Sequence, residues 1–341
     1  MILYQIVGAR PNFIKAAPIN EILNKQKNIE NFIIHTGQHY DYKMSKIFFD
    51  ELKIPSPNYN LNNNSKNHGE QIGKSIIEIE KIFLKKPPNG VIVYGDVNAT
   101  LSGAIAAAKL NIPVFHIESG CRSFDKTMPE EVNRILTDNL SSLLFCSENS
   151  AKKNLRNEGF DEKFIRVSGN VAIDSLIKIL PIIKSKKPPL KHEYIICTLH
   201  RPFNVDNESN LELILSNINK LDRKTLIPAH PRLFKKIKKK YKNIIITQSM
   251  GYLDFISALY YSSGVISDSG GIQCEASFLK KPMLTLRPNT EHLLTLKYNN
   301  KLINEYQILD SNFEVKDYEI PKVWDGLASN RIIKEVIDFL K

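Results

Sequence analysis

Residues 95–134 read GDVNATLSGAIAAAKLNIPVFHIESGCRSFDKTMPEEVNR, and three carboxylates in this stretch stand at the ends of predicted regular elements. Asp96 follows the apolar run 91–94 (VIVY), and Glu118 closes a run that begins at Ile112. Strands this apolar are typical of parallel sheets that are covered on both faces. Because open α/β sheets bind ligands in the crevice at the carboxyl ends of their strands, several acids that converge there indicate a functional site.

The third acid, Glu130, lies at the start of a helix that is predicted to open at Pro129. Thr127 and Glu130 have the spacing of a capping box, so helix capping alone accounts for this pattern. A turn contact would likewise account for Asp96. Glu118 is harder to explain by local structure, since it stands between a buried strand and a turn of small residues.

Length and charge limit the kinds of protein that this chain can be. Its 341 residues permit two domains of ordinary size. Lys and Arg number 47 and Asp and Glu 36, which gives a net charge of +11 and favours anionic ligands. Much of the excess lies in lysine runs such as 184–187 and 235–240. These runs lack interleaved aromatic residues, so they indicate a solvated basic face instead of a nucleic-acid groove.

The cysteines are scattered and have no metal-binding spacing; they are Cys121, Cys146, Cys197 and Cys274. The first residues read as a strand instead of a targeting segment, and this pattern indicates reduced thiols in a cytoplasm. No apolar run approaches the roughly 18 residues that span a bilayer. We therefore expect a cytoplasmic protein with no membrane partner, no nucleic-acid partner and no bound metal.

Short apolar runs alternate with longer amphipathic segments, which is typical of βα units around parallel sheets. The alternation breaks near Gly169 and again at the lysine- and proline-rich stretch 184–191. We predict an α/β fold of two Rossmann-like domains with a central cleft. The predicted domains are residues 1–168 and 169–327, and the C-terminal helix 328–341 is predicted to pack back on the first domain.

The second half contains the motif SDSGGIQCE, in which a strand ends, two glycines follow and a helix begins. A helix N-terminus offers free N–H groups and a partial positive charge, which suits a diphosphate. Ser269, Gly270 and Gly271 are therefore candidate phosphate contacts, and Glu275 is a candidate acceptor for ribose hydroxyls. A tight turn with no ligand is an equally open interpretation.

Three further polar residues occupy loop positions or the start of a helix. Arg10 follows strand one, Lys15 lies one turn into the next helix, and His200 follows the first strand of the second domain. Each has a simpler interpretation as a solvated side chain or a loop contact. No GxGxxG follows strand one, and residues 69–75 (GEQIGKS) are one residue short of a P-loop. They also follow the asparagine-rich stretch 58–67, which is predicted to be a surface loop.

Several motifs stand together in a fixed order over almost the whole chain. They are GARPNFIKAAP, HTGQHYD, GDVNATLSGA, HIESGCRSF, MPEEVNR, LTD, HRPFNVD, AHPR, GYLDF and SDSGGIQCEA. This set resembles the non-hydrolysing UDP-N-acetylglucosamine 2-epimerases, which share the GT-B architecture of glycosyltransferases. The resemblance implies a UDP-sugar substrate, a homodimer and a role in surface polysaccharide biosynthesis, with no cofactor.

The resemblance also implies roles for particular residues. Catalytic roles fall to Asp96, Glu118, Glu130 and His200. Substrate contacts are implied for Arg10, Lys15, Arg134, Phe255 (near the uracil), Ser269, Gly270, Gly271 and Glu275. In the chemistry that this implies, UDP is eliminated to give a 2-acetamidoglucal and is added back after protonation on the other face.

Other activities fit parts of the same pattern. A hydrolysing epimerase would release free ManNAc and UDP, and a GT-B glycosyltransferase would use the same Ser-Gly-Gly helix end for its donor. A non-catalytic regulator would bind the UDP-sugar and exchange no hydrogen with solvent. The chain reads TEHLL at residues 290–294, where the family has roughly TERPE, so the exact sugar is open between UDP-GlcNAc and a modified derivative.

Overall fold

The computed structural model describes residues 1–37, 42–65 and 67–341. Residues 38–41 of the HTGQHYD motif lie outside this description. The chain divides into two compact units, one made of Met1–Lys178 with Pro321–Lys341 and the other of Ile179–Ile320. The division falls within a helix, later in the chain than the boundary predicted near Gly169.

The first unit is built on parallel strands, which in the described residues are β1 Ile2–Val7, β2 Glu30–His35, β3 Tyr59–Asn60, β4 Gly90–Tyr94, β5 Val114–Ile117, β6 Leu143–Cys146 and β7 Ile165–Val167. Its helices before the second unit are α1 Arg10–Leu23, α2 Tyr42–Glu51, α3 His68–Lys85, α4 Asn98–Lys109, α5 Pro129–Leu140, α6 Asn149–Asn157 and α7 Val171–Ser185. The first segment of this unit ends within α7.

These strands form one sheet in the order β3-β2-β1-β4-β5-β6-β7. Every residue of β4 and β5 is buried, as their apolar sequences predict for central parallel strands. The strand order reverses between β1 and β4, so the ends of these two strands form a topological switch point. Two of the acids predicted to be functional, Asp96 and Glu118, follow β4 and β5, on one side of this switch point.

Two local predictions for this unit are wrong. The asparagine-rich stretch 58–67 is not only a loop, because Tyr59–Asn60 pairs with β2 as an edge strand. The capping box proposed for Thr127 and Glu130 is also absent, because Met128 is the N-cap of α5 and its side chain makes no cap bond to any residue the structure describes. Thr127 instead bonds Asp125, with 3.0 Å between Thr127 N and Asp125 Oδ1.

The second unit repeats this plan, and the part of it that the structure describes contains strands β8 Tyr194–Thr198, β9 Lys224–Ala229, β10 Ile244–Gln248, β11 Gly264–Ser267, β12 Met283–Leu286 and β13 Asn300–Ile303. Its helices are α8 Pro202–Val205, α9 Glu208–Lys220, α10 Pro231–Lys236, α11 Tyr252–Tyr261 and α12 Gly270–Phe278. The sheet order is β10-β9-β8-β11-β12-β13, and all its strand pairs are parallel.

The order of this sheet reverses between β8 and β11. Its switch point is therefore formed by the ends of these strands, where His200 and the Ser-Gly-Gly motif follow. Apolar side chains of β8, β9, α9 and β12 form the core of this unit, among them Ile195, Ile214 and Leu284.

The last helix, α13 Ala328–Phe339, belongs to the first unit and packs against α1. The buried Asp174 of α7 fixes its start by accepting hydrogen bonds from Ser329 N at 2.7 Å and Ala328 N at 3.3 Å. Across the described residues, no helix is both long enough and apolar enough to cross a membrane.

Candidate active site

The loop after β1 is tied to the end of β4 by Asn12. Its Oδ1 accepts hydrogen bonds from Gly8 N at 3.0 Å and Ala9 N at 3.2 Å, and its Nδ2 donates to Tyr94 O at 2.9 Å. This arrangement fixes the start of α1 beside the Gly95–Asp96 turn. The N-terminal turn of α1 therefore lies at the switch point of the first sheet.

Lys15 and Glu118 form a buried ion pair at this switch point, with 2.5 Å between Lys15 Nζ and Glu118 Oε1. Burial alone would lower the pKa of Lys15, but the carboxylates of Glu118 and Asp96 raise it above its usual value. Gly95 leaves room for this pair, because a Cβ on Gly95 would lie 3.0 Å from Lys15 Nζ. Lys15 therefore stays charged and faces the partly buried Glu118 carboxylate.

Asp96 is held by Arg134 of α5, whose Nη2 donates to Asp96 Oδ2. The other guanidinium nitrogen, Nη1, donates to Glu131 Oε2 at 2.9 Å. Glu131 is buried and also accepts hydrogen bonds from Ser123 N and Phe124 N, each at 2.9 Å. Glu131 thus anchors the loop that follows β5. This role was not predicted from the sequence, where the adjacent Glu130 was the candidate acid.

Glu130 and Arg10 lie at helix starts. Glu130 is half-buried in the first turn of α5 and precedes Arg134 by four residues, so both stand on the same face of the helix. Arg10 is the first residue of α1, and its guanidinium carbon lies 5.9 Å from the centre of the Phe48 ring. Burial lowers the pKa of Arg10.

In the second unit, His200 pairs with Asp268 across the switch point, with 2.7 Å between His200 Nδ1 and Asp268 Oδ1. Asp268 also accepts hydrogen bonds from the backbone N–H groups of His200 and Arg201 and from Asn204 Nδ2, at 3.0–3.1 Å. Burial opposes ionisation of Asp268, but the neighbouring His200 and the hydrogen bonds from Asn204 and the Arg201 N–H group lower the pKa of Asp268. The imidazole is half exposed, and Asp268 orients it through the contact with Nδ1.

The Ser-Gly-Gly motif begins α12, with Ser269 as its N-cap. The Ser269 side chain makes no cap bond to any residue that the structure describes. Apart from its chain neighbours and the nearby backbone of α12, no described heavy atom lies within 4 Å of the position that a Cβ would take on Gly271. The first N–H groups of α12 have no partner within the helix, so this open end can receive an anion.

A buried cation lies next to this helix end. Arg287 Nη2 pairs with Glu291 Oε2 at 2.7 Å, while Arg287 Nη1 has no hydrogen-bond partner among the described residues. A Cβ on Gly270 would lie 3.6 Å from Nη1 and only 2.3 Å from Glu291 Oε1. The glycine is therefore required by the Arg287–Glu291 pair, and the spare N–H group adds positive charge beside the helix end.

Glu275 and Phe255 lie on α12 and α11 of the same unit. Glu275 is buried and accepts a hydrogen bond from Tyr252 Oη at 2.9 Å. Burial and the Glu275 carboxylate raise the pKa of Tyr252, which remains a neutral donor. Phe255 is half-buried and lies three residues after Tyr252, on the same face of α11.

The structure brings Lys15, Asp96, Glu118 and Arg134 together in the first unit, and His200 lies with the Ser269 strand end in the second. Sequence reasoning missed the residues that hold these groups, namely Glu131, His116 and Asp138 in the first unit and Asp268, Tyr252 and Arg287 in the second. Asp268 had a visible signal, since it is an acid directly after a buried strand. Among the described residues, no group of three His, Cys, Asp or Glu side chains is placed to hold a metal ion.

Two Rossmann-like units, one with acids paired to buried cations and one with an open helix N-terminus beside a buried arginine, define a class of α/β enzymes that act on nucleotide-linked substrates. The model of the UDP-N-acetylglucosamine 2-epimerase family matches residues 21–336. The chain belongs to this family, whose members are isomerases. The resemblance read from the motifs is confirmed, and so is the predicted α/β class.

Individual relatives agree with this assignment. A UDP-N-acetylglucosamine 2-epimerase homolog of Methanococcus maripaludis is 46% identical over 312 residues, which cover 87% of this chain and 86% of the relative. A UDP-2,3-diacetamido-2,3-dideoxy-D-glucuronate 2-epimerase of Pseudomonas aeruginosa is 41% identical over 85% of this chain and 84% of its own. The crystal structure of the Methanocaldococcus jannaschii UDP-GlcNAc 2-epimerase with UDP-GlcNAc and UDP has a TM-score of 0.91 and 40% identity, with 99% and 100% of the two chains covered.

Proposed function

We propose that this protein interconverts a UDP-2-acetamido sugar, with UDP-GlcNAc as the reference substrate, and its ManNAc-type epimer without hydrolysis. The observation that carries the proposal is the set of acids at the switch point of the first unit, where Asp96 and Glu118 are each paired with a buried cation. Such a set supplies the proton transfers of an epimerisation, and a glycosyltransferase that only binds its donor has less use for it.

The second unit is proposed to bind the nucleotide. The open N-terminus of α12, with Ser269, Gly270 and Gly271, suits the diphosphate, and Glu275 with Phe255 suits the ribose and the uracil. His200, held by Asp268, and Arg10 are proposed to meet the charge that develops on UDP as it leaves. The relative bound to UDP-GlcNAc and UDP supports this choice of ligand.

The order of bond breaking follows from acidity at carbon 2. This carbon is not next to a carbonyl group, so a carboxylate does not readily remove its hydrogen. Once the anomeric C–O bond to UDP breaks, the ring gains oxocarbenium character and the hydrogen on carbon 2 becomes acidic. Elimination then gives the 2-acetamidoglucal and UDP, and protonation on the opposite face before UDP returns gives the epimer.

Two faces of the sugar require two proton-handling groups. Glu118 and Glu130, together with Asp96, are proposed to share these roles. Positioned acid–base groups contribute on the order of 100- to 10,000-fold each. Water must be kept away from the glycal and the free UDP, because a hydrolytic side reaction would release the sugar.

The identity of the product tests this proposal against its nearest alternative. Wild-type protein is incubated with UDP-GlcNAc, and the products are separated by ion-exchange chromatography and identified by NMR. The expected product is UDP-ManNAc at equilibrium with UDP-GlcNAc. Free ManNAc with stoichiometric UDP would instead identify a hydrolysing epimerase.

A second substrate tests the choice of sugar. The Pseudomonas aeruginosa relative is named for a diacetamido uronic acid, so the corresponding UDP-sugar is assayed beside UDP-GlcNAc. Preference is expressed as the ratio of kcat/KM for the two substrates. A ratio that favours the uronic acid by more than tenfold would show that the modified sugar is the substrate. The proposed reaction, epimerisation at carbon 2, would stay the same.

Three further proposals rest on the family resemblance. The protein is proposed to act as a homodimer, in the cytoplasm, and to supply precursors of surface polysaccharide. Light scattering after size exclusion tests the first of these, with a mass of twice 38.9 kDa as the expected result. A single-chain mass at micromolar concentration would contradict the dimer.

A further inference from the structure

Two buried side chains that form a close polar contact connect the elements that carry the proposed catalytic acids. His116 of β5 and Asp138 of α5 are fully buried, with 2.6 Å between His116 Nδ1 and Asp138 Oδ1. The other ring nitrogen, Nε2, lies 2.7 Å from the carbonyl oxygen of Gly95. Because a carbonyl oxygen only accepts hydrogen bonds, Nε2 carries the hydrogen, and His116 links Asp138 to the turn directly before Asp96.

Asp138 also holds the turn after β5. Its Oδ2 accepts a hydrogen bond from Gly120 N at 3.1 Å and lies 2.7 Å from Arg122 Nη2. Arg122 also donates two hydrogen bonds of 2.7 Å to Glu158, from Nε to Oε1 and from Nη2 to Oε2. The buried Asp138 carboxylate is thus fully paired, and it fixes the chain on both sides of Glu118.

Glu118 needs such support because its backbone conformation is unusual. Its φ is +74°, in the left-handed region that residues with a side chain rarely occupy. Glu118 N and Ser119 N both donate to Phe145 O, at 3.0 and 3.1 Å. Together with the contacts of Asp138 to His116, Gly120 and Arg122, these bonds hold the Glu118 carboxylate against Lys15.

Gly95, which directly precedes Asp96, also has a positive φ and lies close to the Lys15–Glu118 pair. Its φ is +61°, and a Cβ there would lie 3.0 Å from Lys15 Nζ and 3.5 Å from Glu118 Oε1. The hydrogen bond from His116 fixes the direction of the Gly95 carbonyl and hence the start of Asp96. One buried pair therefore bears on the placement of both acids.

Helix α5 carries Glu130 and the two residues, Arg134 and Asp138, that hold the other acids. Glu130, Arg134 and Asp138 follow one another at intervals of four residues, so they stand on one face of the helix. Arg134 holds Asp96, and Asp138 holds the chain around Glu118 and, through His116, Gly95. The positions of all three acids of the proposed mechanism therefore depend on α5.

We infer that His116 and Asp138 are positioning residues for the epimerisation, which set Glu118 and Asp96 relative to each other without touching the substrate. This inference rests on the proposed function. A merely structural pair would change stability alone, whereas a positioning pair changes kcat while the affinity for UDP is kept. A displacement of about 1 Å in a reacting group is enough to lower a rate on the order of 100-fold.

The first test compares Asp138→Asn with Asp174→Asn. Both variants alter a buried carboxylate in the first unit, but Asp174 supports the start of α13 and not the acids. Both are expected to lower the melting temperature. Only Asp138→Asn is expected to lower kcat, on the order of 100-fold, with KM and the Kd for UDP within threefold of wild type. A kcat for Asp138→Asn equal to that of Asp174→Asn overturns the inference.

The second test uses His116, and it remains decisive where Asp138→Asn does not fold. His116→Gln keeps a donor for the Gly95 carbonyl, whereas His116→Leu keeps the volume and removes the donor. His116→Gln is expected to retain kcat within about tenfold of wild type, and His116→Leu to lose on the order of 100-fold. Equal kcat values for the two variants overturn the inference.

Crystal structures of the two His116 variants separate this inference from the proposed function. In His116→Leu the Gly95 turn is expected to rotate and the Lys15–Glu118 pair to lengthen beyond hydrogen-bond distance, whichever sugar is the substrate. Unchanged positions of Gly95 and Glu118 contradict the positioning role. Failure of the wild-type protein to epimerise any UDP-2-acetamido sugar contradicts only the proposed function.

Discussion

Glu118 and His200 each have one charged partner, Lys15 for the first and Asp268 for the second. The partners differ in exposure: Lys15 and Glu118 are both largely buried, whereas the His200 ring is half exposed above a fully buried Asp268. A buried ion pair contributes little net stability but fixes geometry, because removal of one partner leaves an uncompensated charge. Both partners therefore fix the orientation of side chains that are proposed to take part in the reaction.

Substitution of Asp268 tests how the second of these pairs acts. Asp268→Asn keeps one acceptor oxygen for the backbone N–H groups but removes the charge that orients the His200 ring. We expect kcat to fall on the order of 100-fold, because a preorganised donor to the leaving UDP is lost. Steady-state kinetics with UDP-GlcNAc provide the measurement.

The matched control is the double variant with His200→Asn. If Asp268 acts only through His200, the double variant should be no slower than His200→Asn alone, since residues that act as a unit are not additive. Additive losses would show that Asp268 has a separate role.

His35 gives a prediction for the dependence of stability on pH. It is buried, with its ring centroid 5.3 Å from that of Phe13, and its Nδ1 accepts a hydrogen bond from Gly37 N at 2.9 Å. Burial lowers the pKa of His35 from 6.5 to about 4. The folded state therefore binds fewer protons than the unfolded state between these values, and the stability contribution is present above pH 6.5 and lost as pH falls toward 4.

The size of this effect is about 3 kcal/mol at pH 4, because each unit of pKa difference corresponds to about 1.4 kcal/mol. Urea unfolding of wild type and His35→Phe, at pH 7.5 and at pH 4.5, measures it. The wild type should lose more unfolding free energy between the two pH values than the variant, which keeps the aromatic contact. Parallel losses in the two proteins would rule out His35 as the source.

At the scale of elements, the N-terminus of α12 offers two adjacent glycines in different surroundings. A methyl group on Gly270 would meet Glu291 Oε1 at 2.3 Å. A methyl group on Gly271 would have no described atom within 4 Å apart from its chain neighbours and the nearby backbone of α12. Gly270→Ala is expected to disturb the Arg287–Glu291 pair and lower the melting temperature. Gly271→Ala is expected to leave the melting temperature unchanged or slightly higher, since alanine favours a helix over glycine by about 1 kcal/mol.

Binding of UDP distinguishes these two variants further. In Gly271→Ala the methyl group occupies the space into which the diphosphate is proposed to fit, so the Kd for UDP, measured by calorimetry, should rise at least tenfold. A normal Kd in Gly271→Ala, with a stable fold, would show that the anion site lies elsewhere.

Most strands and helices of the fold could be predicted from the sequence. The apolar runs that became β4 and β5, the proline that opens α5 and the glycines that open α12 are local signals, and they gave the strands and helices that carry the candidate site. The edge strand β3 was missed because its two residues lie in an asparagine-rich stretch and its pairing depends on β2. The network of His116, Asp138 and Arg122 was missed as well, because its members come from β5, the following loop and α5.

At the scale of the whole molecule, the C-terminal segment completes the first unit. Trp324, the single tryptophan of the chain, is buried there, and its Nε1 donates to Ser147 O at 3.3 Å. The following helix, α13, is anchored at its start by Asp174 of α7. Residues that are distant in sequence thus share one core, and this arrangement is visible only in the folded chain.

Removal of the Asp174 carboxylate tests this closure. Asp174→Ala leaves the N–H groups of Ala328 and Ser329 without their acceptor, and it should lower the free energy of unfolding by about 1–3 kcal/mol. Urea unfolding followed by the fluorescence of Trp324 reports on this unit. The activity of the folded variant should equal that of wild type; an unchanged unfolding midpoint would contradict the anchoring role.

The central claim is that a carboxylate of the first unit removes the hydrogen on carbon 2 of a UDP-sugar after UDP has begun to leave. Incubation with UDP-GlcNAc in heavy water, followed by NMR, tests it most directly. The wild-type protein should place deuterium on carbon 2 and produce a ManNAc signal, and Glu118→Gln should lose this exchange while it still binds UDP. Epimerisation without deuterium on carbon 2, or near-normal exchange in Glu118→Gln, would contradict the claim.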